Sequence, residues 1–250
     1  MRTVGFVTIG QSPRLDLIDE FDRALQHARL VQAGALDGLS DAEIAQFAPR
    51  DDDAVLVSRL RTGREVRLAH GCVAPRVQAA VRRLESEGAD LIVLLCTGDF
   101  PDLVSRGAVV CPNRMFPHVV AAALEGVRAP GREARLGVTV PDAAQVPWAE
   151  THWGRLAPAT AVTVSPYSES GALDAAGRAL AAAGVSLVVM DCIGYTRAMQ
   201  GALARAAAAP AVFATGAVSM IVRELLAGAA APEYVGPTAT PQDFSAGAGR

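Results

Sequence analysis

Two cysteines with matching neighbours are the residues of this sequence best suited to chemistry. Cys96 and Cys192 each follow an apolar run, and each precedes a glycine, Gly98 or Gly194, by two positions. A thiolate can accept a proton and a thiol can donate one. Two opposed thiols can therefore remove a proton from one face of a carbon atom and return a proton to the other face. The pattern predicts proton transfer at carbon, with Cys96 and Cys192 as the catalytic pair.

A purely structural role is the alternative for every cysteine in the chain. Free cysteine is among the most buried residue types, so one cysteine considered alone is more often packing than catalysis. The matched positions of Cys96 and Cys192 favour catalysis. Cys111 has no matching cysteine in the second half, and Cys72 only follows a predicted hairpin, so both are expected to be inert. A metal role for His70 with Cys72 is only weakly indicated, and no metal site is predicted.

The order of strands and helices repeats halfway along the chain. Residues 91–98 align with residues 187–194. A helix is predicted to follow each of these segments, and then a further strand, at 108–111 in the first half and at 211–214 in the second. Strands that alternate with helices predict parallel sheets. We expect an α/β fold of two pseudo-symmetric lobes, each with a mainly parallel sheet flanked by helices, with the active-site cleft between the lobes. The predicted divisions are 1–130, 131–228 and a flexible tail at 229–250.

Several local features are predicted to position the site. Ser12 is expected to cap a helix whose first residue is Pro13. The buried face of that helix is predicted to comprise Leu15, Ile18, Phe21 and Leu25. A hairpin at about 54–69 is predicted to carry its arginines on the solvent side. Helices are expected to begin just after Cys96 and Cys192, where the dipole of a helix N-terminus would lower the pKa of each thiol.

Charge and composition exclude several functions. The chain has 250 residues and a formal net charge of −3, and all 23 basic residues are arginine. Without lysine there is no Schiff base to pyridoxal phosphate and no P-loop lysine, and the acidic balance argues against nucleic-acid binding. Short apolar runs and an N-terminus without signal features lead us to expect a cytoplasmic protein with no membrane partner. A homodimer is a reasonable expectation for such an enzyme.

The loops at the predicted sheet edge fit a small carboxylated substrate. Backbone N–H groups at helix starts bind carboxylates, and a guanidinium group binds a carboxylate through two parallel hydrogen bonds. Arg14 is the best candidate cation, although a solvent-facing role in the first helical turn is an equally good interpretation. The predicted substrate-binding residues are Gln11, Ser12, Arg14, Thr97, Gly98, Asn113, Gly194, Tyr195 and Thr196.

Four segments of the chain resemble the AroM family. They are residues 9–16, 34–38, 95–98 and 191–196, which read IGQSPRLD, GALDG, LCTG and DCIGYT. The resemblance implies membership of the wider aspartate/glutamate/hydantoin racemase superfamily. Members of that superfamily have two lobes, act without a cofactor and use one cysteine from each lobe. The resemblance therefore implies that no cofactor is needed and that Cys96 and Cys192 are the two cysteines.

Two loops depart from the pattern of characterised racemases. Those enzymes place an acidic residue and a serine after the first strand, where this chain has Gly10-Gln11-Ser12. They place threonine and histidine after the second cysteine, where this chain has Ile193-Gly194-Tyr195. Gln11 cannot act as a base. This chain shares the two cysteines with those racemases but lacks the acidic residue after the first strand and the threonine and histidine after the second cysteine. The resemblance therefore implies proton transfer at carbon and does not identify the substrate.

Three functions are consistent with the sequence. The preferred one is a cofactor-independent racemase, epimerase or related isomerase that acts on the carbon next to a carboxylate. The second is a non-catalytic protein that binds a carboxylated metabolite in the same cleft. The third is an enzyme that uses one cysteine, either to decarboxylate a malonate-like acid or to isomerise a double bond through a covalent adduct.

Overall fold

The computed structural model of the chain describes residues 1–26, 28–128, 131, 133–167 and 171–227. The predicted tail at 229–250 lies outside the described residues. Two α/β lobes are present, as the sequence predicts, and their boundary near residues 130–131 stays a prediction. Within the described ranges, no helix combines the length and the apolar character needed to cross a membrane.

The first lobe is built on a four-stranded parallel sheet. Its elements are β1 (Arg2–Thr8), α1 (Leu15–Leu25), β2 (Ala28–Gly34), α2 (Asp41–Ala45), β3 (Val55–Arg59), β4 (Glu65–Ala69), α3 (His70–Ser86), β5 (Leu91–Leu95), β6 (Ala108–Val110) and α4 (Pro112–Val127). The strand order is β2-β1-β5-β6, and every pair in the sheet is parallel. Strands β3 and β4 form a separate antiparallel hairpin at the predicted place.

The second lobe repeats this topology. Its elements are β7 (Leu136–Val140), a 3₁₀ turn (Ala143–Gln145), α5 (Val146–Trp153), β8 (Ala159–Thr163), α6 (Gly171–Ala182), β9 (Leu187–Met190), α7 (Arg197–Ala207), β10 (Ala211–Phe213) and α8 (Ala214–Ala227). The sheet order is β8-β7-β9-β10 and all pairs are parallel. This order matches β2-β1-β5-β6 strand for strand, which confirms the predicted pseudo-symmetry. Strand β9 is the counterpart of β5.

The central strands are buried on both faces because helices cover both faces of each sheet. Alternate side chains of β5 point to opposite faces, so Leu91 and Val93 enter a core shared by the two lobes while Ile92 and Leu94 enter the outer core of the first lobe. Strand β9 divides its side chains in the same way between the shared core and an outer core of the second lobe. The shared core therefore fixes the ends of β5 and β9 relative to each other.

The start of the first helix differs from the prediction. Helix α1 begins at Leu15 with Arg14 as its N-cap, whereas the Ser12 hydroxyl donates to Asp37 Oδ2 at 2.6 Å. Asp37 Oδ1 also accepts the backbone N–H of Ser12 at 2.8 Å, so these local bonds replace the predicted cap. The predicted buried face is wrong in part, since Leu15 is 66% exposed and Leu17 is fully buried.

The prediction of a helix directly after each cysteine is also wrong. The described chain from Cys96 to β6 contains turns and bends but no helix, and α7 begins at Arg197, several residues after Cys192. The lobes therefore differ around their matching cysteines. The buried side chain of Phe100 holds the segment after Cys96 against the outer core of the first lobe, and a turn bond from Leu103 N–H to the Phe100 carbonyl follows.

Candidate functional site

Cys96 and Cys192 line one small enclosed space between the lobes. Each follows the C-terminal end of its central strand, β5 or β9, which is where ligands of parallel sheets bind. The space has a volume of about 20 Å³, enough for about one water molecule. Its lining comprises Arg14, Leu56, Val57, Ser58, Leu95, Cys96, Thr97, Gly98, Pro141, Gln145, Tyr167, Asp191, Cys192 and Ile193. We call this space the thiol site.

Each thiol has the same backbone contact. The N–H of Gly98 donates to Cys96 Sγ at 3.3 Å, and the N–H of Gly194 donates to Cys192 Sγ at 3.4 Å. Neither glycine leaves room for a side chain. A Cβ on Gly98 would lie 2.7 Å from a methyl carbon of Leu56, and a Cβ on Gly194 would lie 2.6 Å from the hydroxyl oxygen of Tyr167. The two glycines allow these groups to approach the thiols closely.

Burial dominates the acidity of both thiols. Desolvation raises the pKa of Cys96 to about 12 and the pKa of Cys192 to about 11, while the backbone N–H donors and Arg14 lower both pKa values by less. The predicted lowering of the pKa by helix N-termini is therefore wrong. The dipole of a helix N-terminus acts only over a short distance, but no helix directly follows Cys96 and α7 begins several residues after Cys192. Both thiols are protonated at neutral pH in this arrangement.

A buried carboxyl group stands beside the second thiol. One oxygen of Asp191 accepts a hydrogen bond from the Trp153 indole N–H at 2.8 Å. Burial raises the pKa of Asp191 to about 6, which the bond from Trp153 partly offsets. No role was predicted for Asp191, although a carboxyl group at the end of an otherwise apolar run is a usable signal. At neutral pH this carboxylate places a negative charge next to both cysteines.

Arg14 is buried and faces the site, so its solvent-facing alternative is wrong. Its guanidinium group donates to both oxygens of Asp16, at 2.9 and 2.8 Å, and to the Tyr167 hydroxyl at 3.1 Å. Arg59 adds a second cation 3.6 Å from Asp16, and its guanidinium carbon lies 6.0 Å from the centre of the Tyr167 ring. Two arginines face the single carboxylate of Asp16, so this cluster carries a local positive excess, whereas Asp191 places a separate negative charge beside the thiols. The positive cluster favours an anionic ligand.

The hairpin covers the cleft and is not merely a solvated edge. Leu56, Val57 and Ser58 of β3 form part of the lining of the thiol site. The Gln145 side-chain amide donates to the Val55 carbonyl at 3.0 Å, which joins the hairpin to the second lobe. The prediction that its arginines only face solvent is therefore wrong for those that make contacts with either lobe.

Arg67 and Arg61 are two of the hairpin arginines that make such contacts. Arg67 forms a bidentate pair with Asp142 of the second lobe, at 2.5 and 3.2 Å. Arg61 donates to the carbonyl oxygen of Ser12 at 2.8 and 2.6 Å in the first lobe. Both side chains are more than half exposed, so each pair alone contributes little to stability. Together they place β3 across the cleft between the lobes.

Six predicted binding residues lie outside the lining of the thiol site. Gln11 accepts the backbone N–H of Arg61, and Asn113 donates to Asp99 Oδ1. Thr196 caps α7 through a bond from the Met199 N–H. Ser12 is engaged by Asp37, and the fully buried Tyr195 donates to the Val164 carbonyl within the outer core of the second lobe. The structure brings Arg14, Thr97, Gly98 and the two cysteines together in one lining, and Gly194, the sixth residue outside it, contacts Cys192 through its N–H.

Structure adds residues that the sequence did not suggest. Tyr167, Ser58 and Gln145 reach the thiol site from the loop after β8, from the hairpin and from the 3₁₀ turn. None of them belongs to a local motif that could have identified it, because their positions depend on contacts between distant segments. Burial raises the pKa of Tyr167 above its ordinary value, so its hydroxyl group stays protonated. Its oxygen accepts from Arg14, which leaves its proton free to donate.

A larger cavity of about 360 Å³ adjoins the thiol site. The two spaces share the lining residues Leu56, Thr97, Gly98, Gln145 and Asp191. The cavity also has walls of Ala54, Val55, Pro101, Val140, Ala144 and Trp148, together with Asp53, Asp99 and His70. Its lining thus combines apolar walls with carboxyl groups and contains no arginine. Across the described part of the chain, no three His, Cys, Asp or Glu side chains group together as metal ligands.

Comparison with known proteins agrees with this architecture. The profile of the family described as AroM protein matches residues 4–226. No curated protein sequence matches the chain. Allantoin racemase from Klebsiella pneumoniae has a similar fold, with a TM-score of 0.56 and 15% identity over 92% of this chain and 89% of that chain.

Two further solved structures share the fold. Arylmalonate decarboxylase has a TM-score of 0.56 and 15% identity over 91% of this chain and 94% of that chain. Glutamate racemase from Francisella tularensis subsp. tularensis SCHU S4, solved with D-glutamate, has a TM-score of 0.58 and 9% identity over 91% of this chain and 82% of that chain. At these identities the likeness establishes the two-lobed racemase-like fold and nothing finer.

Proposed function

The chain belongs to the AroM family, and from this premise we propose that it is a cofactor-independent isomerase that moves a proton at the carbon next to a carboxylate. The observation that carries the proposal is the pair Cys96 and Cys192, which end equivalent strands and share one enclosed site. Each thiol also accepts one N–H bond from its own loop. Two equivalent proton carriers that line one space suit removal and return of a proton at a single carbon.

The proposed reaction needs one thiolate and one thiol. The thiolate takes the proton from the carbon, the electron pair passes into the carboxylate as an enediolate, and the opposite thiol returns a proton to the other face. The hand of the substrate decides which thiol acts as the base, and Cys192 would be the base for one enantiomer. Substrate of the opposite hand would use Cys96 as the base.

The positive cluster beside Cys192 is the proposed binding site for the substrate carboxylate. Arg14 and Arg59 outnumber Asp16, and the Tyr167 hydroxyl has a proton available to donate. A hydrogen bond from a neutral donor to an oxygen that gains charge strengthens as the enediolate forms. Tyr167 therefore supports both binding and the proposed proton transfer.

The remainder of the substrate is proposed to occupy the adjoining cavity. Its volume of about 360 Å³ far exceeds that of the thiol site, and the two spaces share five lining residues. Its apolar walls favour an apolar substituent, and its carboxyl groups without arginine disfavour a second carboxylate at that end. We therefore propose a substrate with one carboxylate at the reacting carbon and an apolar substituent.

Decarboxylation is the second candidate function. It requires only that a carbon–carbon bond breaks, carbon dioxide leaves, and a thiol protonates the resulting enediolate; water then reprotonates the thiolate. Both thiols are protonated at neutral pH because burial raises the pKa of Cys96 and Cys192, and this state suits a proton donor. The arylmalonate decarboxylase of similar fold makes the reaction a reasonable alternative.

The test is proton NMR in deuterium oxide with separate enantiomers of α-substituted carboxylates. Wild-type protein should exchange the α-proton of both enantiomers. Cys96→Ala and Cys192→Ala should each abolish racemisation, with losses of about 100-fold or more, and each should leave exchange for one enantiomer at most. Cys72→Ser is the matched control, because Cys72 is exposed and does not line the thiol site. Exchange of both enantiomers at the wild-type rate in either the Cys96 or the Cys192 variant would refute the isomerase.

Loss of activity in only one of the two cysteine variants, together with release of carbon dioxide from malonate-like acids, would instead support the decarboxylase. Binding of a carboxylate without any exchange or release in wild-type protein would support a non-catalytic binding protein. These outcomes separate the three functions because each assigns a different role to the two thiols.

A further inference from the structure

A hydroxyl group without a partner lies in the lining of the thiol site. Ser58, on β3 of the hairpin, is 1% exposed, and its Oγ has no hydrogen-bond partner among the described residues. Buried polar groups are nearly always hydrogen-bonded, because an unpaired one has lost its bonds to water without replacement. Ser58 thus carries an energetic cost that nothing else in the described fold offsets.

At Ser58 the hairpin packs closely against the loop after β1. A Cβ on Gly10 would collide with the Ser58 hydroxyl and with the carbonyl oxygen of Arg59. The absence of a side chain at Gly10 therefore lets the hairpin lie directly against the loop after β1. That loop leads to Arg14, the buried cation of the site.

The other polar side chains near the thiols already have partners. Thr97 donates to the main-chain carbonyl of Asp191, and Arg14 donates to Asp16 and Tyr167. The Asp191 carboxyl group accepts from Trp153. Ser58 differs from all of these, since its donor and its acceptor capacity are both unused within the described residues.

We propose that the Ser58 hydroxyl donates a hydrogen bond to an oxygen of the substrate carboxylate, which the Tyr167 hydroxyl is also proposed to bind. This inference rests on the proposed function, because it assigns a further catalytic residue at the same site. The bond replaces the missing partner of Ser58 when substrate enters and strengthens as charge gathers on that oxygen. Ser58 is therefore preorganised for a ligand at the expense of stability in the unliganded protein.

Ser58→Ala tests this proposal through two readouts that should move in opposite directions. Removing an unsatisfied buried hydroxyl should leave the melting temperature unchanged or raise it. The same substitution should lower kcat/KM for α-proton exchange by about 10- to 100-fold, mainly through kcat. Thr139→Val is the matched control, because Thr139 is fully buried in β7 but lies outside the thiol-site lining, so its kcat/KM should not change.

Unchanged kcat/KM in Ser58→Ala would overturn the proposal. A lower melting temperature would overturn it as well, because the hydroxyl group would then stabilise the fold instead of waiting for a ligand. If wild-type protein exchanges no α-proton, the isomerase fails, and calorimetric binding of 3-phenylpropionate decides the role of Ser58. Ser58→Ala should then bind 3-phenylpropionate about 10-fold more weakly than wild type. Equal binding, or no binding to either protein, would overturn the assignment of Ser58.

Discussion

The Thr97 hydroxyl donates a hydrogen bond of 3.4 Å to the main-chain carbonyl of Asp191. Thr97 follows Cys96 and Asp191 precedes Cys192, so this bond joins the loops of the two cysteines across the pseudo-symmetric lobes. The side chains break the symmetry, because Leu95 occupies the position that corresponds to Asp191. One thiol therefore has an acidic neighbour in sequence, and the other has an apolar one.

Asp191→Asn should lower the pKa of both thiols. Burial is the larger cause of their raised pKa values, and the nearby Asp191 charge raises both further. Asparagine can still accept the Trp153 indole N–H, so the substitution removes charge with little change in shape. Alkylation by iodoacetamide, followed by mass spectrometry across a pH series, should show Cys96 and Cys192 reacting at lower pH in the variant. Identical pH profiles in the two proteins would contradict this role of Asp191.

The stability of the protein should also depend on pH through Asp191. Burial raises its pKa in the folded protein to about 6, above the ordinary 3.8, so the folded state binds the proton more tightly than the unfolded state. The stabilising contribution of the protonated form is present at low pH and is lost as pH rises from about 4 to about 6. Urea unfolding should show that wild type loses up to about 3 kcal/mol relative to Asp191→Asn over this range.

The same pH argument applies to the proposed reaction. Because burial raises the pKa of Cys192 to about 11, the thiolate fraction at neutral pH is small. The rate of α-proton exchange should therefore rise about tenfold per pH unit between roughly pH 7 and 10. A flat profile over that range would contradict Cys192 as a base with this raised pKa. If substrate binding lowers the pKa of Cys192, alkylation in the presence of substrate will reveal the lower value, and Cys192→Ala will still abolish exchange.

Continuous apolar runs made the central strands predictable. Both β5 and β9 have the predicted limits, and Cys96 and Cys192 follow these central strands, one in each of the two sheets. The edge strand β2 was not predicted, because its residues are mostly half-buried and lack a clear alternation. Helix α5 was not predicted either.

The thiol site was predictable only where local sequence decides the position. Ser58 and Tyr167 enter the site because the hairpin and the loop after β8 fold over the cleft. Contacts between distant segments, such as Arg67 with Asp142, hold the hairpin there. No local sequence pattern predicts a contact between such distant segments. The pKa of each thiol was misjudged for the same reason, since desolvation depends on how both lobes and the hairpin cover the sulfur atoms.

Tyr167→Phe should weaken substrate binding without unfolding the protein. The substitution removes the hydroxyl group that is proposed to donate to the substrate carboxylate, so KM for the exchanged carboxylate should rise about 10-fold and kcat should fall as well. Tyr195→Phe is the matched control. The Tyr195 hydroxyl donates to the Val164 carbonyl at 2.5 Å in the outer core of the second lobe, so its loss should cost about 1 kcal/mol of stability and leave KM unchanged. Equal KM values for wild type and Tyr167→Phe would exclude Tyr167 from binding.

Ala144→Phe should change which substrates the protein accepts. Ala144 is exposed and lines the cavity of about 360 Å³, so a phenyl ring there should fill part of the cavity without disturbing the core. Exchange of 2-amino-3-phenylpropanoate should fall about 10-fold or more, whereas exchange of alanine should change little. Ala143→Phe, on the same turn but outside the cavity lining, should leave both rates unchanged. Equal losses for the two substrates in Ala144→Phe would show that the substituent does not occupy this cavity.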